Sequence, residues 1–245
     1  MKPKDLIFAS KSDSSGCSSI KEKVPFIEEH IFYLPEKESV SFSFPGWNNS
    51  QTFAQKQPLH VEYCSGNGKW IVAQALLQPT INWIAVEKKL PRVRKIWAKM
   101  RNAGVSNLLI VWGEAFQFTQ SYLLDGSIEK IYINFPDPWP KNRHAGHRLM
   151  QKPFVKELAR TLEPKGELFF VTDDPAYSEW TLRVMEQTGD FAPLFPYPHY
   201  LHAYPGYGSS YFEEFWRAKG KEIRYHGFSK GFLKIANRDC SSYGD

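Results

Sequence analysis

Long apolar runs are missing from this chain. No stretch reaches the ~18 consecutive apolar residues that a membrane-spanning helix needs. The opening segment "MKPKDLIFASKSDSSGCSSI" has no apolar core of the kind a secretory leader carries. Cysteine is scarce: Cys17, Cys64 and Cys240 are odd in number and unpaired in spacing, which excludes a disulfide framework and fits a reducing, cytoplasmic compartment. Charge of one sign is not dominant either, since 31 Lys and Arg against 26 Asp and Glu leave a net charge of +5. That balance is compatible with a nucleic-acid partner without requiring one. Metal is not expected, because His144 and His147 have no Cys or carboxylate partner at ligand spacing. Nothing separates a monomer from a homodimer.

Aromatic residues, by contrast, are abundant, with 18 Phe, 12 Tyr and 8 Trp in 245 residues. The chain is long enough for one sizeable core. Residues 1–23 are Ser- and Lys-rich and read as a mobile extension. Residues 24–57 read as a segment leading into or packing on the core, residues 58–235 as the core domain, and residues 236–245 as a polar tail.

Within the core, "LHVEY", "INWIAVE", "NLLIVWG", "IEKIYINF" and "GELFFVTD" read as strands. Between and after them, "KWIVAQALLQ" (Ile71, Ala75 and Leu76 on one face), "LPRVRKIWAKMRNAG", "AFQFTQSYL", "PFVKELARTLEPKG" (closed by Pro164 and Gly166) and "AYSEWTLRVMEQTG" read as helices. The alternation predicts an α/β fold: a doubly wound, mostly parallel sheet with helices on both faces. "KEIRYHGFSK" reads as a late, antiparallel strand. Ligands of such sheets bind outside the carboxyl ends of the strands, where the strand order reverses.

Residues at those strand ends are therefore the candidates. After the first strand, "EYCSGNGKW" places Glu62 before a turn in which Gly66 and Gly68 let the backbone approach a ligand. The third glycine of a dinucleotide fingerprint is missing, which counts against a pyrophosphate and a nicotinamide-dependent dehydrogenase. Glu87, about twenty residues further on, is placed to accept from both hydroxyls of an adenosine ribose, or is an exposed strand-end acid. Glu114 is placed to meet an adenine amine, or to sit at a helix N-terminus where the dipole favours an acid.

After the fourth strand comes "NFPDPWPK", residues 134–141. Pro136 cannot continue a central strand. The alternating prolines restrict the loop and hold Asp137 and Trp139 over the site. Next, "KNRHAGHR" gathers Lys141, Arg143, His144, His147 and Arg148 without an acid and reads as a phosphate-binding surface. Residues 88–101 carry seven basic residues and no acid, a solvated helix face or an RNA contact. Asp173 and Asp174 follow the fifth strand, placed to cap a helix, with one of them also able to line the pocket.

Together, "VEYCSGNG", "AVEKK", "WGEA", "NFPDPWPKNRH", "FVTDD" and "SSYFEEFWRAKG" resemble the bacterial tRNA (guanine-N7)-methyltransferase family over residues 58–228. The resemblance implies a class I methyltransferase fold, the cofactor S-adenosylmethionine and a guanine in the tRNA variable loop as methyl acceptor. It implies that Glu62, Gly66, Gly68, Glu87, Glu114 and Asp137 surround the cofactor and that Asp137 is catalytic. It implies that Lys141, Asp173, Ser210, Tyr211, Phe212 and Glu213 contact tRNA or the guanine, and that Arg143, His144, His147 and Arg148 lie in an RNA-binding segment. Four departures from the family pattern stand out: Cys64 for glycine, Glu114 for Asp, Ser210 for Thr, and a less basic "RHAGHR". An amino-group methyltransferase acting on another base and a non-catalytic tRNA-binding protein are the alternative readings.

Overall fold

Residues 1–6, 8, 24–36 and 42–231 are described by the computed structural model of the chain. Strands β3 (Leu59–Tyr63), β4 (Asn82–Glu87) and β5 (Leu108–Trp112) are buried at every position. Near-continuous apolar runs such as "LLIVW" are what a parallel sheet covered on both faces requires. Strands β6 (Ile128–Asn134) and β7 (Leu162–Thr172) complete the parallel centre, with β6 beside β3 and β7 beside β6. The late strand β9 (Arg224–Lys230) runs antiparallel to β7, as expected.

Three short strands extend the sheet beyond the sequence reading. β1 (Phe26–Glu28) and β2 (Ile31–Tyr33) form a hairpin that joins β5 through β2, and β8 (Phe191–Pro193) pairs with β9. The order is β1-β2-β5-β4-β3-β6-β7-β9-β8. The chain winds outward from β3 through β4 to β5, then returns to the other side of β3 with β6. The switch point thus lies between β3 and β6.

Among the described residues, five of six α-helices bury a face against the sheet. Helices α1 (Lys69–Leu77) and α2 (Leu90–Ala103) bury Ile71, Ala75, Val93, Ile96 and Trp97 with Trp83, Ala85 and Ile110 of the sheet. Helices α3 (Ala115–Tyr122), α4 (Lys152–Thr161) and α5 (Pro175–Thr188) bury Phe118, Phe154, Leu158 and Tyr177 with Val61, Ile84 and Val111. The period-2 alternation along β4 sends Trp83 and Ala85 to one layer and Ile84 and Val86 to the other. Helix α6 (Tyr211–Ala218) has no buried residue.

Two expectations change. Leu76 is 58% exposed, because five residues after Ile71 it stands about 140° around the helix. Helix α4 ends at Thr161, and Pro164 and Gly166 belong to the irregular start of β7. In the N-terminal stretch residues 1–5 are exposed, whereas Leu6 and Phe8 are buried, and Phe8 stacks on Trp112 at 6.1 Å. The expected tail at 236–245, residues 7 and 9–23, and the cysteines Cys17 and Cys240 lie outside the described residues.

Candidate active site

At the carboxyl ends of the strands a cleft of about 220 Å³ is lined by Glu87, Glu114 and Asp137, with Lys88, Lys89, Arg92, Phe135, Trp139 and His147. Cys64 and Phe135 also face a narrower crevice that contains Glu62, Lys69, Asn134, Ser210, Tyr211 and Phe212. The four expected carboxylates therefore converge on two adjoining hollows at the switch point.

The floor is the turn after β3. Cys64 has φ of 62°, in the left-handed region that costs a side chain about 1–2 kcal/mol, which explains why glycine suits this position. Burial, together with the carboxylates of Glu87, Asp137 and Glu62, pushes the Cys64 thiol far above its usual range, so it is a poor nucleophile. Gly66 (φ 57°) donates its N–H to Glu87 Oε2 at 3.1 Å. A side chain at 66 would meet the ring of Phe212 at 3.3 Å. A Cβ at Gly68 would lie 2.9–3.0 Å from Ile96, including its Cα, so the packing of α2 on the turn requires glycine here.

Glu62 ends β3 and bridges the switch point. Asn134 of β6 donates to Glu62 Oε1 at 2.8 Å, and Tyr207 O–H donates to Asn134 Oδ1 at 2.7 Å. Tyr207 is itself gripped by Trp70, whose Nε1 donates to its carbonyl at 2.7 Å. Glu62 Oε2 is buried and, among the described residues, has no hydrogen-bond partner. Burial raises the Glu62 carboxyl to about 7, against the Asn134 hydrogen bond, which lowers it. An orphaned carboxylate oxygen of this kind fits a bound cation or hydroxyl.

Glu87 is buried and held from three sides: Gly66 N–H on Oε2, Lys89 N–H on Oε1 at 2.9 Å, and Arg92 Nη1 at 3.5 Å from Oε2. Two carboxylate oxygens offer about four acceptor sites, so one remains for a ligand. Glu114 occupies the position before α3 but makes no side-chain cap there. Its Oε1 accepts instead from Lys88 Nζ at 3.2 Å.

Asp137 is exposed and, among the described residues, has no hydrogen-bond or ion-pair partner. Its loop leaves the sheet after Asn134, with Phe135 at φ 49° and Trp139 at φ 44° on either side. Trp139 is 38% exposed and packs against His147 at 5.0 Å between ring centres. Lys141 and Arg143 are exposed, and Arg143 Nε donates to His144 Nε2 at 3.3 Å.

Four expected substrate contacts have partners within the protein or are buried. Arg148 is buried under the loop. Asp173 pairs with Lys221, whose ammonium sits 3.9 Å from the centre of the Trp216 ring, and it lines neither hollow. Ser210 Oγ caps α6 by accepting from Glu213 N–H at 3.0 Å, and Glu213 Oε1 accepts from Arg217 Nε at 3.0 Å. The pattern Ser-x-x-Glu thus builds the start of α6 and seats Phe212 over the glycine turn. Asp174, not Asp173, caps α5 through the N–H of Tyr177 at 2.8 Å. Residues absent from the sequence reading also enter the site: Asn134 and Tyr207 support Glu62. Asn134 stood in plain view at the end of its strand. Tyr207, more than 70 residues away, gave no signal beyond a glycine-rich turn.

The solved structure of the 16S rRNA methyltransferase KamB is similar with a TM-score of 0.54 and 15% identity, covering 73% of this chain and 90% of that one. A SAM-dependent methyltransferase from Aquifex aeolicus is similar at 0.51 and 14%, covering 72% and 84%. These likenesses define the class as a methyltransferase fold. A methyltransferase family model, Methyltransf_4, described as "Putative methyltransferase", matches residues 56–224. The tRNA (guanine-N(7)-)-methyltransferase of Chlamydia trachomatis serovar D is 48% identical over 87% of this chain and 93% of its own length. The protein of that name from Chlamydia muridarum is 47% identical over 83% and 90%. That of Staphylococcus aureus strain JH9 is 34% identical over 67% and 76%. The chain belongs to the tRNA (guanine-N7)-methyltransferase family.

Proposed function

We propose that the protein transfers a methyl group from S-adenosylmethionine to N7 of a guanine in the variable loop of tRNA. The observation that carries the reading is Asp137: an unpaired carboxylate on a proline-stiffened loop, facing the same cleft as Glu87 and Glu114. The relatives' names supply the substrate class.

The residues present fit the cofactor. Glu62 Oε2, buried and unpartnered, suits its ammonium group, and the remaining acceptor of Glu87 suits a ribose hydroxyl. When bound, the cofactor supplies an electrophilic methyl group on a sulfonium. Guanine N7 carries a lone pair and no proton, so no side chain has to act as a strong base. What the chain must supply is alignment and exclusion of water. Positive charge develops on the purine as the methyl arrives. Asp137 accepts from guanine N1–H and the 2-amino group, and so stabilises that charge more in the transition state than in the ground state. Trp139 gives the base a wall. Lys141 and Arg143, exposed beside the cleft, take phosphates. A guanine stacked in folded tRNA has to swing out to reach this position.

Incubation with labelled S-adenosylmethionine and unmodified tRNA transcripts tests the reading. N7-methylguanosine in the variable loop is the expected product. Label on another base would keep the class and discard the guanine mechanism. Absence of both label and cofactor binding would favour a non-catalytic tRNA-binding protein.

A further inference from the structure

Arg148 belongs to a basic segment, yet the structure withdraws it from the surface. It is 5% exposed, whereas its neighbours Lys141 and Arg143 are exposed. No carboxylate among the described residues pairs with it. A guanidinium buried without a counter-charge is costly unless its donors are satisfied. Its Nε donates to the carbonyl of Pro138 at 2.9 Å, and Nη2 reaches toward the carbonyl of Trp139 at 3.5 Å. Its flat faces lie over the rings of Tyr177 and Trp180, at 5.3 and 5.1 Å to the ring centres.

Those two rings belong to α5, and both are anchored. Tyr177 O–H accepts from Met150 N–H at 3.1 Å, and Trp180 Nε1 donates to Met150 O at 2.7 Å. The guanidinium is therefore clamped between a rigid helix and the two carbonyls that follow Asp137. The loop needs such a clamp. Its prolines have no N–H to offer a strand ladder. Phe135 and Trp139 occupy the left-handed region, where bulky residues persist only if their surroundings over-determine them.

We propose that Arg148 is a positioning residue: it fixes the Asp137 loop by its carbonyls and makes no contact with RNA. This rests on the reading of Asp137 given above. Lysine does not substitute, because it lacks the fork that donates while its face stacks on a ring. A displacement of ~1 Å at the reacting groups costs about 10²-fold in rate.

The experiment compares single-turnover methyl transfer at saturating tRNA and cofactor in wild type, Arg148→Lys, Arg148→Met, Asp137→Ala and the double variant Asp137→Ala/Arg148→Lys. The affinity for tRNA is measured against salt for each, and thermal melting verifies folding. Both Arg148 variants are expected to slow transfer by about 10- to 100-fold, with cofactor and tRNA affinities and the salt slope unchanged. On the Asp137→Ala background, Arg148→Lys is expected to add nothing. If Arg148→Met fails to fold, Arg148→Lys alone decides. A normal rate with a shallower salt slope in Arg148→Met would make it an RNA contact and overturn the proposal. Slow transfer in Asp137→Ala with normal transfer in Arg148→Lys sinks the brace alone. Normal transfer in Asp137→Ala sinks the reading of Asp137 and the brace with it.

Discussion

Replacing Glu62 by Gln removes one titration from the centre of the site. The carboxyl stands at about 7 in the folded protein against its ordinary 4.5, chiefly because it is buried. A raised carboxyl contributes stability that is fully present below the unfolded value and is lost as pH rises through the folded one. At about 1.4 kcal/mol per pH unit, the movement from 4.5 to about 7 corresponds to about 3.5 kcal/mol. Wild-type protein without cofactor should therefore lose up to about 3.5 kcal/mol relative to Glu62→Gln between roughly pH 4.5 and pH 7. Urea midpoints at half-unit steps from pH 4.5 to pH 8 measure this difference directly. A cation placed against Oε2 adds a second consequence. Below pH 7, cofactor binding to wild type should release a proton, and binding to Glu62→Gln should not. Parallel stability curves for the two proteins would refute the argument, because Glu62 would then titrate alike in the folded and unfolded chains.

Gly68→Ala should destabilise the fold by about 2 kcal/mol or more, since φ of 75° is unfavourable for alanine and the new methyl meets Ile96; thermal melting measures the loss. Lys141→Ala with Arg143→Ala should weaken tRNA binding and reduce the salt slope by about 1.5, at roughly 0.7–0.9 per phosphate contact, in a filter-binding series. An unchanged slope would place the phosphates elsewhere. Ser210→Ala should cost about 1 kcal/mol locally by uncapping α6, seen as faster hydrogen exchange in residues 211–215, and Ser210→Thr should restore it.

The central sheet was legible because its strands are short, apolar-rich runs and its helices carry their own stop signals, such as Gly104 at φ 66° after α2. The hairpin of β1 and β2 was not, since three-residue strands carry no periodicity. The cleft carboxylates Glu87, Glu114 and Asp137 could be found because each lies at or within three residues of the end of a strand. Arg148 could not be assigned by type: in the sequence it is one of several cations, and only packing separates the buried guanidinium from the exposed ones. Ser210 and Glu213 mislead in a related way, because a pattern that resembles a substrate contact is also what a helix start needs. Tyr207 and Asn134 meet across 73 residues of sequence, which no local pattern records.

The carboxylate of Asp137, on its proline-stiffened loop over the cleft, is the centre of the proposed chemistry. Single-turnover methyl transfer in Asp137→Ala, at saturating tRNA and cofactor and with both affinities measured alongside, tests it most directly. The expected result is a rate at least ~10²-fold lower, with the fold and the cofactor affinity retained. A near-normal rate in that variant would contradict the account and remove Asp137 from the chemistry.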